Sequence, residues 1–145
     1  MKPDFKIFFL CEDWVSMGRA LELKEKLAHN CRDHVSVKGD FYSYARLCHP
    51  RLKQAALDQA READLLIIAA RGSEPMPLFV QKWMDEAASR RSEKTACGEF
   101  LDSKSSDTVE NFHSFIDRWA AENSFLLFSN VYPEQPAEPA NLNLN

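Results

Sequence analysis

The 145-residue sequence lacks three features that would indicate particular classes of protein. It has no stripe of basic residues and its net charge is −4 at pH 7, so binding to nucleic acid is not expected. It has no apolar run near the ~20 residues of a transmembrane helix, so contact with a membrane is not expected. Residues 1–4 lead into a short apolar run without the longer apolar segment and cleavage site of a signal peptide. These absences predict a cytoplasmic protein.

Disulfide and metal-binding patterns are also missing. No two cysteines form a CxxC pair, so we expect reduced cysteines in the core. The histidines are scattered without a metal-ligand motif, and we expect each to be exposed or to cap a helix. The cysteines are Cys11, Cys31, Cys48 and Cys97, and the histidines are His29, His34, His49 and His113.

What the sequence does contain is a regular alternation of apolar runs and amphipathic patterns. The apolar runs predict strands at 5–11, 34–37, 63–70, 95–101 and 124–129, and the amphipathic patterns predict helices at 16–28, 50–62, 77–90 and 107–122. Asp13 or Ser16 is predicted to cap the first helix, and Asp107 with Glu110 the fourth. No internal repeat is present. We expect one domain at 1–132 and a flexible tail at 133–145, which is too poor in apolar groups to fold alone.

Strands that alternate with helices indicate a parallel sheet with helices on both faces. With five strands and right-handed crossovers, the commonest order is the flavodoxin-like 2-1-3-4-5. The second run is short and polar, which fits an edge strand, whereas the first and third are the most apolar and fit the centre. The sequence therefore predicts an α/β fold, a three-layer α/β/α sandwich with a five-stranded parallel sheet.

In such a sheet, ligands bind beyond the carboxyl ends of the strands, at the switch point between strands one and three. This brings together residues 11–16, 70–76 and 102–107. We expect Arg71 to pair with one carboxylate of the acidic pair after strand one, which would close the site. No catalytic residue is assigned. The candidate ligand-binding residues are Glu12, Asp13, Trp14, Ser16, Arg71, Gly72 and Ser73.

The run KIFFLCEDWVSMGRALELKEKL, at 6–27, resembles the start of a response-regulator receiver domain. That resemblance implies Glu12 and Asp13 as Mg²⁺ ligands, and hard Mg²⁺ does prefer carboxylate oxygens. However, the third strand ends in Ala69 and Ala70, where receivers carry the aspartate that accepts phosphate. We therefore expect no phosphoryl acceptance. Mg²⁺ binding by the acidic pair stays open, beside the alternative that both carboxylates only favour the start of a helix.

The run ADLLIIAARGSEPMPLFVQKWMDEA, at 63–87, resembles part of the flavodoxin-like NADPH-dependent FMN reductases. The matching positions are Ala63, Asp64, Pro77, Lys82, Trp83 and Asp85. That resemblance implies an oxidoreductase. An FMN phosphate needs small residues after strand one, where backbone N–H groups can hold it. Glu12 and Asp13 would repel it there, so FMN is not expected.

A third resemblance is to a group of bacterial single-domain proteins of flavodoxin-like or receiver-like fold, and it implies no activity. Its matching positions are Glu12, Asp13, Gly18, Arg19, Ala20, Asp64, Gly72, Pro77 and Trp83.

Two classes of function remain. We favour a non-catalytic signalling or regulatory module that contacts protein partners near Trp14, Tyr42 and Arg71, with a homodimer left open. The aromatic residues at 40–44, predicted to lie in an irregular connection, either cover the sheet edge or form part of that binding surface. The alternative is an enzyme, either a flavodoxin-like oxidoreductase or a Mg²⁺-dependent hydrolase that uses Glu12 and Asp13.

Overall fold

The computed structural model of the chain describes residues 2–101 and 107–130. These residues form five strands, four α-helices and one 3₁₀-helix. In chain order they are β1 (Asp4–Cys11), α1 (Trp14–Asn30), β2 (Ser36–Ser43), a 3₁₀-helix (Tyr44–Cys48), α2 (Pro50–Arg61), β3 (Leu65–Ala70), α3 (Leu78–Arg90), β4 (Ala96–Leu101), α4 (Asp107–Glu122) and β5 (Leu127–Ser129).

The five strands form one parallel sheet in the order β2-β1-β3-β4-β5. The predicted topology is therefore confirmed. The register places Phe9 of β1 beside Phe41 of β2 on one side and Ile67 of β3 on the other. Since β1 and β3 are parallel neighbours, their carboxyl ends lie at the same edge of the sheet.

Side chains alternate between the two faces of each strand, and the two faces build two cores. On one face, α2, α3 and α4 cover a large core that includes Phe8 and Leu10. Trp83 of α3 is fully buried at its centre, with its ring stacked on Phe8 at 5.4 Å between centroids. On the other face, α1 covers a smaller core that includes Phe9 and Ala20.

The prediction for the second strand was wrong in length. We expected a strand at 34–37 and an irregular connection after it, but β2 continues to Ser43. Tertiary packing explains the extension, since the rings of Phe41 and Phe9 stack at 4.5 Å on one face and those of Tyr42 and Phe8 at 5.3 Å on the other. Tyr42 is buried, so its own ring is not exposed for contact with a partner.

Smaller differences occur at other element ends. α1 begins at Trp14 rather than at residue 16. The backbone of Ser124 is left-handed, with φ of 60°, and β5 starts only at Leu127. Of the cysteines predicted to lie in the core, Cys48 is exposed. The predicted tail at 133–145, the last residues of the predicted domain and most of the loop at 102–107 lie outside the described residues.

Within residues 2–101 and 107–130, no helix has both the length and the apolar character needed to cross a membrane.

Candidate functional site

The loops after β1 and β3 are joined by hydrogen bonds at the carboxyl edge of the sheet. The backbone N–H of Glu12 donates to the carbonyl of Ala69 at 2.9 Å. The backbone N–H of Arg71 donates to the Glu12 carboxylate at 2.8 Å. The first of the predicted acidic residues therefore links two parallel strands at the switch point.

Asp13 has two roles at the same place. Its Oδ1 accepts the backbone N–H of Ser16 at 2.9 Å, which makes Asp13 the N-cap of α1. Its Oδ2 accepts Nε of Arg71 at 2.7 Å and also pairs with Nη2 of that guanidinium. The predicted ion pair is present, with Asp13 as the carboxylate.

The electrostatics of Asp13 follow from these contacts. Partial burial opposes ionisation, but the backbone N–H of Ser16 and the Arg71 guanidinium outweigh it and hold the pKa of Asp13 below its ordinary value. The N-cap contributes about 0.5–2 kcal/mol to stability. The partly exposed ion pair adds about 0.2–1 kcal/mol. The carboxylates of Glu12 and Asp13 therefore both stabilise the fold at this edge of the sheet.

On the other side of β1 from this junction there is open space. A cleft of about 570 Å³ is bounded by the loop after β1, the first turn of α1 and the end of β2. We call it the strand-end cleft, and its lining residues are Glu12, Asp13, Trp14, Met17, Ser43, Ala45 and Arg46. The sequence predicted a site between the ends of β1 and β3, and this cleft lies at the neighbouring position, between the ends of β1 and β2.

Trp14 is the most prominent side chain of the cleft. It is the first residue of α1, and its side chain is 88% exposed. Across the lining, the Arg46 guanidinium lies 5.1 Å from the centre of the Tyr42 ring and donates to the carbonyl of Phe41 at 3.1 Å. The cleft thus combines an exposed indole, a thioether from Met17 and fixed charges of both signs.

The other predicted site residues do not line the cleft. Arg71 contacts it through its bonds to Glu12 and Asp13. Ser16 is buried on the inner side of α1, where its backbone N–H donates to Asp13. Gly72 has a φ of 78° and packs closely on Val109, where a Cβ would lie 3.3 Å from Cγ2. Ser73 is exposed and is not among the lining residues. Only Glu12, Asp13 and Trp14 of the predicted set line the cleft.

Cys11 and Tyr44 are each adjacent in sequence to residues that line the cleft, and both are buried. Burial, with the charge of Asp13, raises the pKa of the Cys11 thiol to about 12, so this cysteine stays protonated and unreactive near neutral pH. Burial and the charges of Glu12, Cys11 and Asp13 also raise the pKa of the Tyr44 hydroxyl. Neither Cys11 nor Tyr44 is therefore poised as a nucleophile near neutral pH.

The described residues contain no group of three or more His, Cys, Asp or Glu side chains able to hold a metal ion. In the acidic pair, Asp13 already uses both oxygens within the protein. A phosphate at the start of α1 would meet both carboxylates and compete with Asp13 for the N–H of Ser16. The residues therefore do not fit an FMN phosphate at this helix.

A polar cluster that the sequence did not predict lies inside the larger core. Oε1 of Glu99 accepts the hydroxyl of Ser129 at 2.8 Å and contacts Nδ1 of His113. Glu99 is 4% exposed and His113 is 6% exposed. Burial raises the pKa of Glu99, although the hydrogen bonds from His113 and Ser129 oppose the shift.

The prediction that every histidine is exposed or caps a helix was wrong for His113. Its position in the apolar stripe of α4, beside Val109, Phe112 and Ile116, was the available signal. Neither Glu99 nor His113 lines the strand-end cleft.

Comparison with known proteins identified no matching family model, curated protein or solved structure. The chemistry of this cleft and its surroundings is therefore the basis for assigning a function.

Proposed function

We propose that this chain is a non-catalytic protein-interaction module that holds a segment of a partner protein in the strand-end cleft. The observation that carries the proposal is the exposure of Trp14, whose side chain is 88% exposed at the cleft. Exposed tryptophans of this kind are frequent binding hot spots, since they bury a large apolar area at a small cost in conformational entropy.

The position of Trp14 supports this role. The indole stands on the first turn of a helix that Asp13 caps and that Arg71 links to β3. A rigid support of this kind lowers the entropy that binding must overcome. Met17, one turn further along α1, adds a flexible apolar side chain that adapts to different partner residues.

The lining also indicates the chemistry of the partner. A partner segment with an apolar side chain would contact Trp14 and Met17. A basic side chain next to it would face Glu12, whose Oε1 accepts only a backbone N–H among the hydrogen bonds of the described residues. Arg46 supplies a cation at the opposite side of the same lining for a partner carboxylate.

The proposed setting is signalling or regulation in the cytoplasm. Reduced thiols are typical of that compartment, and the four cysteines are free, with Cys48 exposed. The buried Cys11 and the structural roles of Glu12 and Asp13 argue for binding without catalysis.

Site-specific photo-crosslinking in cells that express the full chain tests the proposal. A photoreactive amino acid at Ala45, which lines the cleft and leaves Trp14 in place, is expected to yield a discrete covalent complex with one other protein, identified by mass spectrometry. The matched control is the same probe at Leu78, which is 65% exposed at the start of α3 and outside the cleft. Equal products at both positions, or no product at Ala45, would count against the proposal.

A second variant separates binding from a general effect of the probe. With the probe kept at Ala45, Trp14→Ala is expected to remove the complex. Because Trp14 is so exposed, this substitution is expected to change the free energy of unfolding by only about 0.5 kcal/mol or less. Retention of the complex would show that Trp14 is not the anchor.

A further inference from the structure

The α1 side of the sheet is covered over only part of its width. α1 packs against β1, β2 and β3, whereas α2, α3 and α4 lie on the opposite face. Within residues 2–101 and 107–130, no helix packs on β5 on the α1 side, and α1 reaches β4 through Arg19, whose guanidinium lies 4.5 Å from the centre of the Phe100 ring. Two large apolar side chains there are exposed, Leu126 by 67% and Phe128 by 57%.

Strand alternation assigns these two side chains to the α1 face. Leu127, between them, packs against the larger core on the other face. Phe128 pairs with Gly98 in the register of β4 and β5, and the side of Gly98 that a Cβ would occupy meets Ile67 of the smaller core. We call Leu126, Phe128 and the adjoining strands β4 and β5 the open sheet face.

The outer side of α1 has its own unpartnered apolar stripe. Trp14, Gly18 and Leu21 recur four and three residues apart, on the side of the helix opposite Ala20, which is buried against the sheet. Leu21 is 46% exposed. A Cβ at Gly18 would have no neighbour within 4 Å, so another element can approach the helix closely at that point.

We infer that a second copy of this chain covers the open sheet face, with the outer stripe of α1 from each copy packed on the open sheet face of the other. The space over two strands, about 10 Å wide, matches the diameter of one helix. α1 is the helix on this side that carries an exposed apolar stripe. A two-fold axis buries both exposed surfaces at once, because the α1 stripe of each copy packs on the open sheet face of the other copy.

The exposed apolar area is close to what a stable interface buries. An aromatic side chain buries about 150–250 Å², so two copies each of Trp14 and Phe128 would bury about 600–1,000 Å². Leu21, Leu126 and Val15, which is 55% exposed, add to this. The total approaches the ~1,200–2,000 Å² of a stable interface.

This inference does not rest on the proposed function, because Leu126 and Phe128 lie outside the strand-end cleft. Trp14 belongs to both surfaces, so a partner protein and a second copy are expected to compete for it.

Sedimentation velocity of the full chain, from about 1 μM to about 200 μM, tests the inference. The expected result is a concentration-dependent shift from monomer to dimer. Leu126→Gln with Phe128→Gln is expected to weaken the dimer by about tenfold or more. The matched control, Leu78→Gln with Phe79→Gln, changes two similarly exposed apolar residues at the start of α3 and should leave the dimer unchanged. A chain that is monomeric throughout this range would overturn the inference.

Gly18→Lys tests the helix side of the interface separately. In the monomer the lysine side chain would extend into open space. Because the substitution also replaces a glycine in a helix interior, the thermal midpoint of dilute protein should rise. In the dimer the same side chain blocks close approach, so association should weaken by about tenfold or more. A dimer that persists in this variant and in the Leu126/Phe128 variant has another interface. If the wild type is monomeric and the Leu126/Phe128 substitutions clearly lower its free energy of unfolding, the open sheet face is covered by the chain's own residues. Each of these two results, the persistent dimer and the destabilised monomer, would overturn the inference.

Discussion

At the scale of single residues, Asp13 and Glu99 show how environment sets the role of a carboxylate. Asp13 stands at a helix start beside a cation, and its pKa is lowered. Glu99 lies in the core with Oε2 lacking a hydrogen-bond partner among the described residues, and its pKa is raised. The first environment follows from nearby sequence and one ion pair. The second is created by burial in the core, and the hydrogen bonds from His113 and Ser129, which come from other elements, only partly oppose it.

Glu99 therefore makes a distinct contribution to the pH dependence of stability. Its pKa is raised from 4.5, mainly by burial, so the folded chain holds this proton more tightly than the unfolded chain. The stabilisation is present below the unfolded pKa and is lost as the pH rises through the folded pKa. Glu99→Gln keeps the shape and cannot ionise. Relative to wild type, the free energy of unfolding of this variant should increase by about 1–3 kcal/mol between about pH 4 and pH 8.

Urea denaturation across that pH range measures the difference. Glu93→Gln is the control, because Glu93 is exposed in the loop before β4, and its difference from wild type should stay nearly constant. If the difference in free energy of unfolding between Glu99→Gln and wild type does not change with pH, the ionised Glu99 carboxylate is stabilised at neutral pH by its neighbours, and the prediction is wrong.

At the scale of elements, α1 and β2 differ in how far sequence determines them. α1 has its cap, its apolar stripe and its charged positions within one stretch, and it was predicted to within two residues at each end. β2 contains Gly39 and Asp40, which are poor strand formers. Pairing along all of β1 and the stacking of Phe41 on Phe9 extend it to Ser43.

Alanine substitutions at three glycines test whether each glycine is required by its backbone conformation, by close packing or by neither. Gly18→Ala should raise the free energy of unfolding by about 0.5–1 kcal/mol, because the site is helical and open. Gly98→Ala should lower it by about 1–3 kcal/mol, since the Cβ would lie 3.3 Å from Ile67 Cγ1. Gly72→Ala should lower it by a similar amount, because its φ is 78°. Urea denaturation of dilute protein measures all three, and a destabilising Gly18→Ala would contradict this account of α1.

At the scale of the whole molecule, the sheet joins the two cores and carries the cleft at its carboxyl edge. Any ligand that binds the folded chain alone raises its thermal midpoint. The alternative functions in catalysis require Mg²⁺ or FMN at that edge, where Asp13 already uses both oxygens. The thermal midpoint measured with and without Mg²⁺ or FMN therefore distinguishes these functions from the proposed one.

We expect millimolar Mg²⁺ and micromolar FMN to leave the thermal midpoint unchanged within about 1 °C, since saturation at about 100 times the Kd would add ~2.7 kcal/mol and several degrees. Differential scanning fluorimetry measures this. Glu22→Ala, on the exposed side of α1, controls for a general effect of charge. A rise with Mg²⁺ that Glu12→Ala removes and Glu22→Ala retains would favour the metal-dependent alternative.

By itself, the sequence determined the order of strands and helices, the parallel sheet and the capping of α1, because periodicity and capping depend on residues close together in the chain. It also allowed the pairing of Arg71 with an acidic residue to be predicted, since two parallel strands bring their ends to one edge. Only the tertiary structure decided the length of β2, the burial of Tyr42 and the contact of Glu99 with His113. These depend on side chains from distant segments meeting across the core. The cleft depends on the folded chain for the same reason, because its lining combines residues 12–17 with residues 43–46, which the pairing of β1 with β2 brings together.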